Sequence, residues 1–334
     1  MRIAKIIAKY LLLIVLFFAF LYVVLSFRLI PREISYGVSF SKLHSDELGL
    51  DWKKVYSAIL DDLGAKKLRL SAHWPMIEPV SGQLSYTDLD YQINEAEKRG
   101  TEIILAVGRR LPGWPECHEP DWAKNLSWEE RKEIVLGNIE KTVLRYKDSE
   151  GIKYWQVENE PFLEVFAKEH CGELDWDFLR EEIALVKELD PERNILVTDS
   201  GNLGLWYGAW RAGDIFGTSV YIYLWNPQIG EIKTVYRPSV YRAKTRLLEL
   251  IAGKKKSILA ELSLEPWLLS PISETPLDVQ IERMSQEKFD EVIRFAKRTG
   301  FSDQYLWGAE WWYWMKEQGN SAYWDKAKDL FLSE

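Results

Sequence analysis

Glu160 and Glu261 are the residues of this chain whose types and spacing point most directly to chemistry. Glu160 lies in Glu158-Asn159-Glu160-Pro161, directly after the apolar stretch Ile152 to Val157. Glu261 follows Ser257-Ile258-Leu259-Ala260. Both stretches read as strands, so both glutamates stand at strand ends. Two carboxyl groups that can face each other are what glycoside hydrolysis requires. One must stay protonated to donate to the leaving oxygen, and the other must be ionised to attack the anomeric carbon. Glu160, beside Asn159 and flanked by Trp155 and Phe162, suits the acid/base role. Glu261 suits the nucleophile, with Arg69 and a tyrosine of the sixth strand as partners that hold it ionised. Arg69 alternates with Leu68 and Leu70. If those leucines face outward, the guanidinium points inward, where a charge is costly without carboxylate partners.

The elements that must position these groups recur in a regular order. Strands are expected at Tyr36–Phe40, Lys67–Ser71, Glu102–Val107, Ile152–Val157, Asn194–Thr198, Ile215–Tyr221, Ser257–Ala260 and Gln304–Trp307. Helices are expected between and after them: Trp52–Leu63, Asp88–Arg99, a helix from the capping box Ser127-Trp128-Glu129-Glu130 to Tyr146, and Asp175–Leu189. A short piece near Leu203–Trp210 follows, then Val240–Ile251, Asp278–Arg298 and Ala322–Leu332. Eight strand–helix units without an internal linker predict an α/β fold with one closed (β/α)8 barrel. An open doubly wound sheet is disfavoured, since no glycine-rich phosphate loop follows any strand. In such barrels the chemistry sits at the C-terminal ends of the strands, where both glutamates fall.

The first 34 residues are separate in character. Arg2, Lys5 and Lys9 precede an uncharged run from Tyr10 to Phe27, and Arg28 and Arg32 follow it. The 18-residue run is close to the roughly 20 apolar residues that cross a bilayer. It exceeds the ~7–15 residues of a cleaved signal's apolar core. Residues 1–34 are therefore expected to be an uncleaved transmembrane signal anchor with a short linker. Residues 35–334 would form the barrel, held outside the cytoplasm. Secretion after cleavage near Val24-Leu25-Ser26 is the alternative.

Composition excludes other classes. The 334 residues carry a net charge of −8, which argues against a nucleic-acid partner. Four histidines and two cysteines argue against a metal centre, and no cofactor is expected. The 16 tryptophans are the unusual number. Trp52, Trp128 and Trp324 fall in helices, whereas many others, including Trp74, Trp114, Trp225, Trp267 and Trp307, fall at or just after strand ends. Aromatic faces there can stack on sugar rings, or can simply cover apolar surface. The expected partner is a carbohydrate, with the protein a monomer. Cys117 and Cys171 follow the third and fourth strands, so their loops are neighbours that a disulfide could join.

The chain also resembles glycoside hydrolase clan A, the superfamily of cellulases, mannanases, β-galactosidases and β-glucosidases. The resemblance runs from about Tyr36 to Trp324. It rests on Asn159-Glu160-Pro161, on Glu261 three units later, on Leu68-Arg69-Leu70 with Trp74 and Glu78-Pro79, and on Pro112-Gly113-Trp114. Asp214-Ile215-Phe216-Gly217 leading to Tyr221, and Trp307 on the eighth strand, continue it. It implies retention through a covalent glycosyl-enzyme, with Glu160 as acid/base and Glu261 as nucleophile. Asn159 would bind the sugar 2-hydroxyl, Tyr221 or Tyr223 would orient the nucleophile, and Trp307 would floor the innermost sugar subsite. His73, Trp74, Trp267 and Glu310 are further candidates for lining the substrate. The chain departs from family 5 proper, which has a histidine after the third strand where Gly108-Arg109-Arg110 stands here. That family also has His-x-Tyr where this chain reads Tyr221-Ile222-Tyr223. Arg109 and Arg110 read either as binders of an acidic sugar or as a solvated loop. A non-catalytic carbohydrate-binding barrel and a transglycosylase are the rival functions. A metal-dependent barrel hydrolase is disfavoured by the scarcity of histidine.

Overall fold

The computed structural model describes residues 2–27, 30–165, 168–172 and 174–332. Met1, Arg28, Ser333 and Glu334, which belong to the expected anchor and barrel ranges, lie outside the described residues. The strands in chain order are β1 (Ser35–Ser39), β2 (Lys67–Ser71), β3 (Glu102–Val107), β4 (Ile152–Val157), β5 (Asn194–Asp199) and β6 (Ile215–Val220). They continue with β7 (Tyr223–Asn226), β8 (Gly230–Lys233), β9 (Ser257–Ser263) and β10 (Asp303–Trp307). Eight of them close a parallel barrel in the order β1-β2-β3-β4-β5-β6-β9-β10, with β10 paired back to β1. β7 and β8 form a separate antiparallel hairpin.

Alternation along each strand divides two apolar layers. Leu68, Leu70, Ile103, Leu105, Trp155 and Val157 face the helices and join the large outer core. Ile104, Leu196, Ile215, Ile258, Ala260 and Tyr305 fill the barrel itself. The fit inside is tight at β1: a Cβ on Gly37 would stand 2.7 Å from the Tyr305 ring. Arg69 lies in the same inward series as those apolar residues and is 2% exposed.

Several elements differ from expectation. The helix expected over Asp278–Arg298 is two, Leu277–Arg283 and Gln286–Ala296. Ser285 caps the second, its side chain accepting from the Lys288 amide, and competes with a continuous helix as serine does. The short helix near Leu203–Trp210 starts later, at Tyr207, and runs to Ala212. The β7–β8 hairpin stands where no element was expected, between the sixth strand and the helix that follows it. The Asn226 side chain accepts from the Gln228 and Ile229 amides, and Gly230 has φ 77°, which closes the turn. Trp311 and Trp312 lie in an unexpected helix, Ala309–Glu317, both fully buried. The capping box at Ser127 and Glu130 forms as expected, opening the helix Trp128–Tyr146.

The N-terminal helix spans Arg2–Ser26. Its window Lys9–Ser26 has mean hydropathy 2.4 and is almost wholly exposed, so it is long and apolar enough to cross a membrane.

Candidate active site

The C-terminal ends of β2, β4, β5, β6 and β9 converge on one buried polar network. At its centre is Arg69 of β2. Its Nη1 donates to Glu261 Oε2 at 2.8 Å and to the Ala260 carbonyl at 3.2 Å. Its Nη2 donates to Asn159 Oδ1 at 2.6 Å, and its Nε to Gln156 Oε1 at 2.8 Å. One planar guanidinium thus fixes β4 against β9 and supplies the partners that make an inward charge tolerable. Four of its five N–H donors are taken up inside the protein.

Glu261 accepts a second hydrogen bond, from the Tyr221 hydroxyl. That tyrosine is held above its ordinary pKa by burial and by the Glu261 charge, and so remains a donor. Of the two tyrosines expected near the nucleophile, only Tyr221 reaches it. Tyr223 opens β7 and donates to Glu291, away from the glutamate pair.

Glu160 is held differently. Its Oε1 accepts from Ser219 Oγ of β6 at 2.7 Å, and its amide donates to Thr198 of β5 at 2.9 Å. Burial pushes its carboxyl up to about 8, and the charges of Glu116 and Glu261 push the same way. These influences favour its neutral form. Glu158 and Glu160 both have positive φ, 57° and 45°, an unusual conformation for glutamate. The kink turns Glu158 back under β3, where its two oxygens accept from the Arg109 amide at 2.5 Å and the Arg110 amide at 2.8 Å. A Cβ at residue 108 would sit 2.3 Å from Glu158 Oε1, so Gly108 is required there. Glu158 serves the loop, and Glu160 faces the network.

Glu116 is a third carboxylate that sequence reasoning missed. Asn159 Nδ2 donates to its Oε1 at 3.3 Å, and Arg110 Nε to its Oε2 at 2.5 Å. Burial raises its pKa while Arg110 opposes that rise. It lies in a tight turn in which the Leu111 amide bonds the Glu116 carbonyl at 2.9 Å. The next residue, Cys117, forms a disulfide with Cys171, Cα to Cα 5.3 Å, joining the loops after β3 and β4. The only sequence signal was its place in the loop after the third strand. Gln156, Thr198 and Ser219 were missed too, although each lies near the C-terminal end of its strand.

Arg109 and Arg110 are buried rather than in a solvated loop, and Arg109 lines a cavity of about 670 Å³ together with Arg131, His170 and Arg180. Arg109 pairs with Glu119 and donates to the Cys171 carbonyl at 2.9 Å, and Arg110 donates to the Leu163 carbonyl at 2.9 Å. His73 is buried against His118, ring centroids 4.8 Å apart. Burial and that neighbour lower it to about 3, so it is neutral and cannot serve as an acid near pH 7. Trp74 is not in the network: it is buried and donates to Glu78 Oε2 at 3.1 Å.

On β10, the strand next to β9, Trp307 donates from its indole to Glu265 Oε1 at 2.7 Å, which fixes the ring's plane. Its edge lies 3.5 Å from where a Cβ on Gly113 would be, so it spans beneath the β3 loop. Glu265 also meets His44 at 2.9 Å. Burial alone would lower the His44 pKa, but the Glu265 charge and hydrogen bond raise it well above its ordinary value. Glu310 accepts from the Ser41 amide at 2.6 Å and is pushed up to about 7 by burial. It stands in the His44–Glu265 group, not beside Glu160 and Glu261. Trp267 stacks edge-on against Tyr221, centroids 5.5 Å apart. Among the described residues no cluster of His, Cys, Asp or Glu is arranged to hold a metal ion.

The comparisons with known proteins agree with the resemblance to clan A. No family model matches the chain. Endo-1,4-beta-xylanase 3 of Hypocrea jecorina is 28% identical over 193 residues, which is 54% of this chain and 50% of that protein. The chain thus spans about half the length of the curated relatives it matches. Two solved structures share the barrel. GH5_18 from Bifidobacterium longum superposes with a TM-score of 0.56 at 14% identity, covering 82% of this chain and 69% of the other. Xylanase 10B from Thermotoga maritima gives 0.51 at 16% identity, covering 82% and 83%.

Proposed function

We propose that the chain is a retaining glycosidase that cleaves a β-linked sugar, with Glu160 as acid/base and Glu261 as nucleophile. The observation that carries this reading is the opposite treatment of two neighbouring carboxyls. Burial and two nearby carboxylates keep Glu160 protonated, up to about 8. Glu261 instead accepts hydrogen bonds from the Arg69 guanidinium and the Tyr221 hydroxyl. The xylanase relative and the shared fold support the same class.

In the first step Glu160 gives its proton to the glycosidic oxygen while Glu261 attacks the anomeric carbon, forming a glycosyl ester and releasing the aglycone. The ester carries no charge at Glu261, which removes one of the charges raising Glu160. Glu160 then takes a proton from water, which attacks the same carbon and releases the sugar with its original configuration. Asn159 Nδ2 faces Glu116 at the edge of this space and is the donor available to a sugar hydroxyl. Trp307, its plane fixed by Glu265, provides an aromatic floor for the ring.

The helix Lys9–Ser26 is read as an uncleaved membrane anchor and the barrel as extracytoplasmic. The Cys117–Cys171 disulfide supports that side, because such bonds persist in oxidising compartments. The test of the activity is a panel of aryl β-glycosides offered to the detergent-solubilised chain. Turnover of at least one sugar, abolished in Glu261→Ala, is expected. Wild-type turnover in Glu261→Ala would overturn the assignment.

A further inference from the structure

Resting on that reading, we propose that the mouth of the barrel faces the lipid bilayer and receives a glycan carried on a membrane lipid. Among the described residues, the contacts of the N-terminal helix with the barrel lie in its last turns. Tyr22 Oη meets Ser239 Oγ at 2.7 Å, and Arg242 Nε donates to the Ser26 carbonyl at 2.9 Å. Leu25 is buried there, whereas Leu11 to Phe20 are exposed. The partner is the helix Pro238–Ala252, which follows β6 and β8. Tyr22 lies by its first turn and Ser26 by the next, so the two helices run in the same direction.

That direction fixes where the anchor leaves. A helix that follows a barrel strand starts at the strands' C-terminal face and returns to the opposite end. Arg242 also donates to the Arg298 carbonyl, in the loop that leads into β10 at that opposite end. Followed backward from Tyr22, the N-terminal helix therefore passes the rim of the mouth. The residues from Arg2 to Leu21 continue it for about 30 Å at 1.5 Å per residue, the thickness of a hydrocarbon core. The hydrocarbon core is then reached on the mouth's side of the barrel.

The surface of the mouth fits that neighbour. Val235 is 91% exposed, Leu205 89% and Ile229 71%, all in loops on the C-terminal face beside Pro238. Leu203 and Tyr207 are also half exposed there. Lys244 Nζ donates to the Gly204 carbonyl at 2.7 Å, which ties that loop to the helix on which the anchor docks. Exposed apolar side chains grouped on one face mark a contact surface, and the spanning helix emerges beside this group. A sugar reaching Glu160 and Glu261 then arrives from the lipid side. Water adds across its glycosidic bond, the glycan leaves to solvent, and the aglycone stays in the membrane.

The test uses the full chain in phosphatidylcholine vesicles. A bimane label is placed by Val235→Cys at the mouth or by Lys254→Cys at the far end, the native cysteines being paired. Doxyl lipids should quench the Val235 label several-fold more than the Lys254 label. Equal quenching, stronger quenching at Lys254, or none at either would overturn the orientation. A second arm compares dodecyl β-glycosides in the vesicles with p-nitrophenyl glycosides of the same sugar in solution. The combined change Val235→Asp, Leu205→Asp and Ile229→Asp should lower kcat/KM at least tenfold on the embedded substrate and leave the soluble one unchanged. An equal loss on both, or no loss on either, would overturn the substrate class. Quenching at Val235 with neither glycoside cleaved would overturn the glycosidase reading, and the lipid-linked substrate with it, while the orientation stands.

Discussion

Replacing Glu116 by glutamine removes a charge from the site while keeping a side chain of the same shape. The charge of Glu116 is one of the influences holding Glu160 up to about 8, second only to burial. A like charge within ~4–6 Å moves a carboxyl by about one to a few pH units, and the Arg110 guanidinium facing Glu116 offsets part of that. Glu116→Gln is therefore expected to bring Glu160 down by about one unit, to about 7, equivalent to ~1.4 kcal/mol less bias toward its neutral form. The sign follows from the role: Glu160 must be protonated to act, so its activity is present below its pKa and lost above it. The basic limb of kcat/KM against pH should move from about 8 to about 7. At pH 8 the protonated fraction falls from about a half to about a tenth, so turnover drops roughly fivefold, while at pH 6 it barely changes. The assay is a kcat/KM profile from pH 4 to 10 on the best aryl glycoside, with a melting curve to check folding. A limb that stays near 8 while kcat/KM falls equally at every pH would refute the reasoning and make Glu116 a contact for substrate.

Three further outcomes follow from the same contacts. Glu160→Ala should lose about 10²–10⁴-fold on substrates with poor leaving groups, and azide should partly restore turnover of activated ones; no rescue would count against the acid/base role. Arg69→Lys should cost about 3–5 kcal/mol and most of the turnover, because one ammonium cannot reach Glu261, Asn159 and Gln156 together. A wild-type melting temperature with full activity would contradict that. Cys117→Ser with Cys171→Ser opens a loop of sequence separation 54 and should cost up to about 4 kcal/mol by chain entropy, read by denaturant unfolding.

The barrel was legible because its strands are short apolar runs between helices with plain stop signals, and eight such units close. The convergence of Glu160 and Glu261 was legible because strand ends in a barrel share one mouth. What escaped depended on contacts between distant segments. Glu116 is an acidic residue in a loop, and only the turn at Leu111 and the link to Cys171 carry it to Asn159. Trp74, Trp311 and Trp312 follow strands as binding residues would, yet local helices turn them into the packing layer. Glu310 likewise turns into the His44–Glu265 group through the amide of Ser41, fully 269 residues away. Tyr221 and Tyr223 could not be told apart in sequence, because the hairpin that takes Tyr223 away rests on a turn at Asn226 to Gly230. The double break at Glu158 and Glu160 also left no trace, since positive φ at glutamate is imposed by the surrounding network.

The central claim is that Glu261 forms a bond to the sugar. Incubation with a 2-deoxy-2-fluoro β-glycoside of the sugar found in the panel, carrying a good leaving group, should trap that ester. Mass spectrometry of the digested protein should find one glycosyl adduct, on the peptide carrying Glu261. An adduct on Glu160 or Glu116 instead, or steady turnover that inverts the anomeric centre with no adduct, would contradict the account.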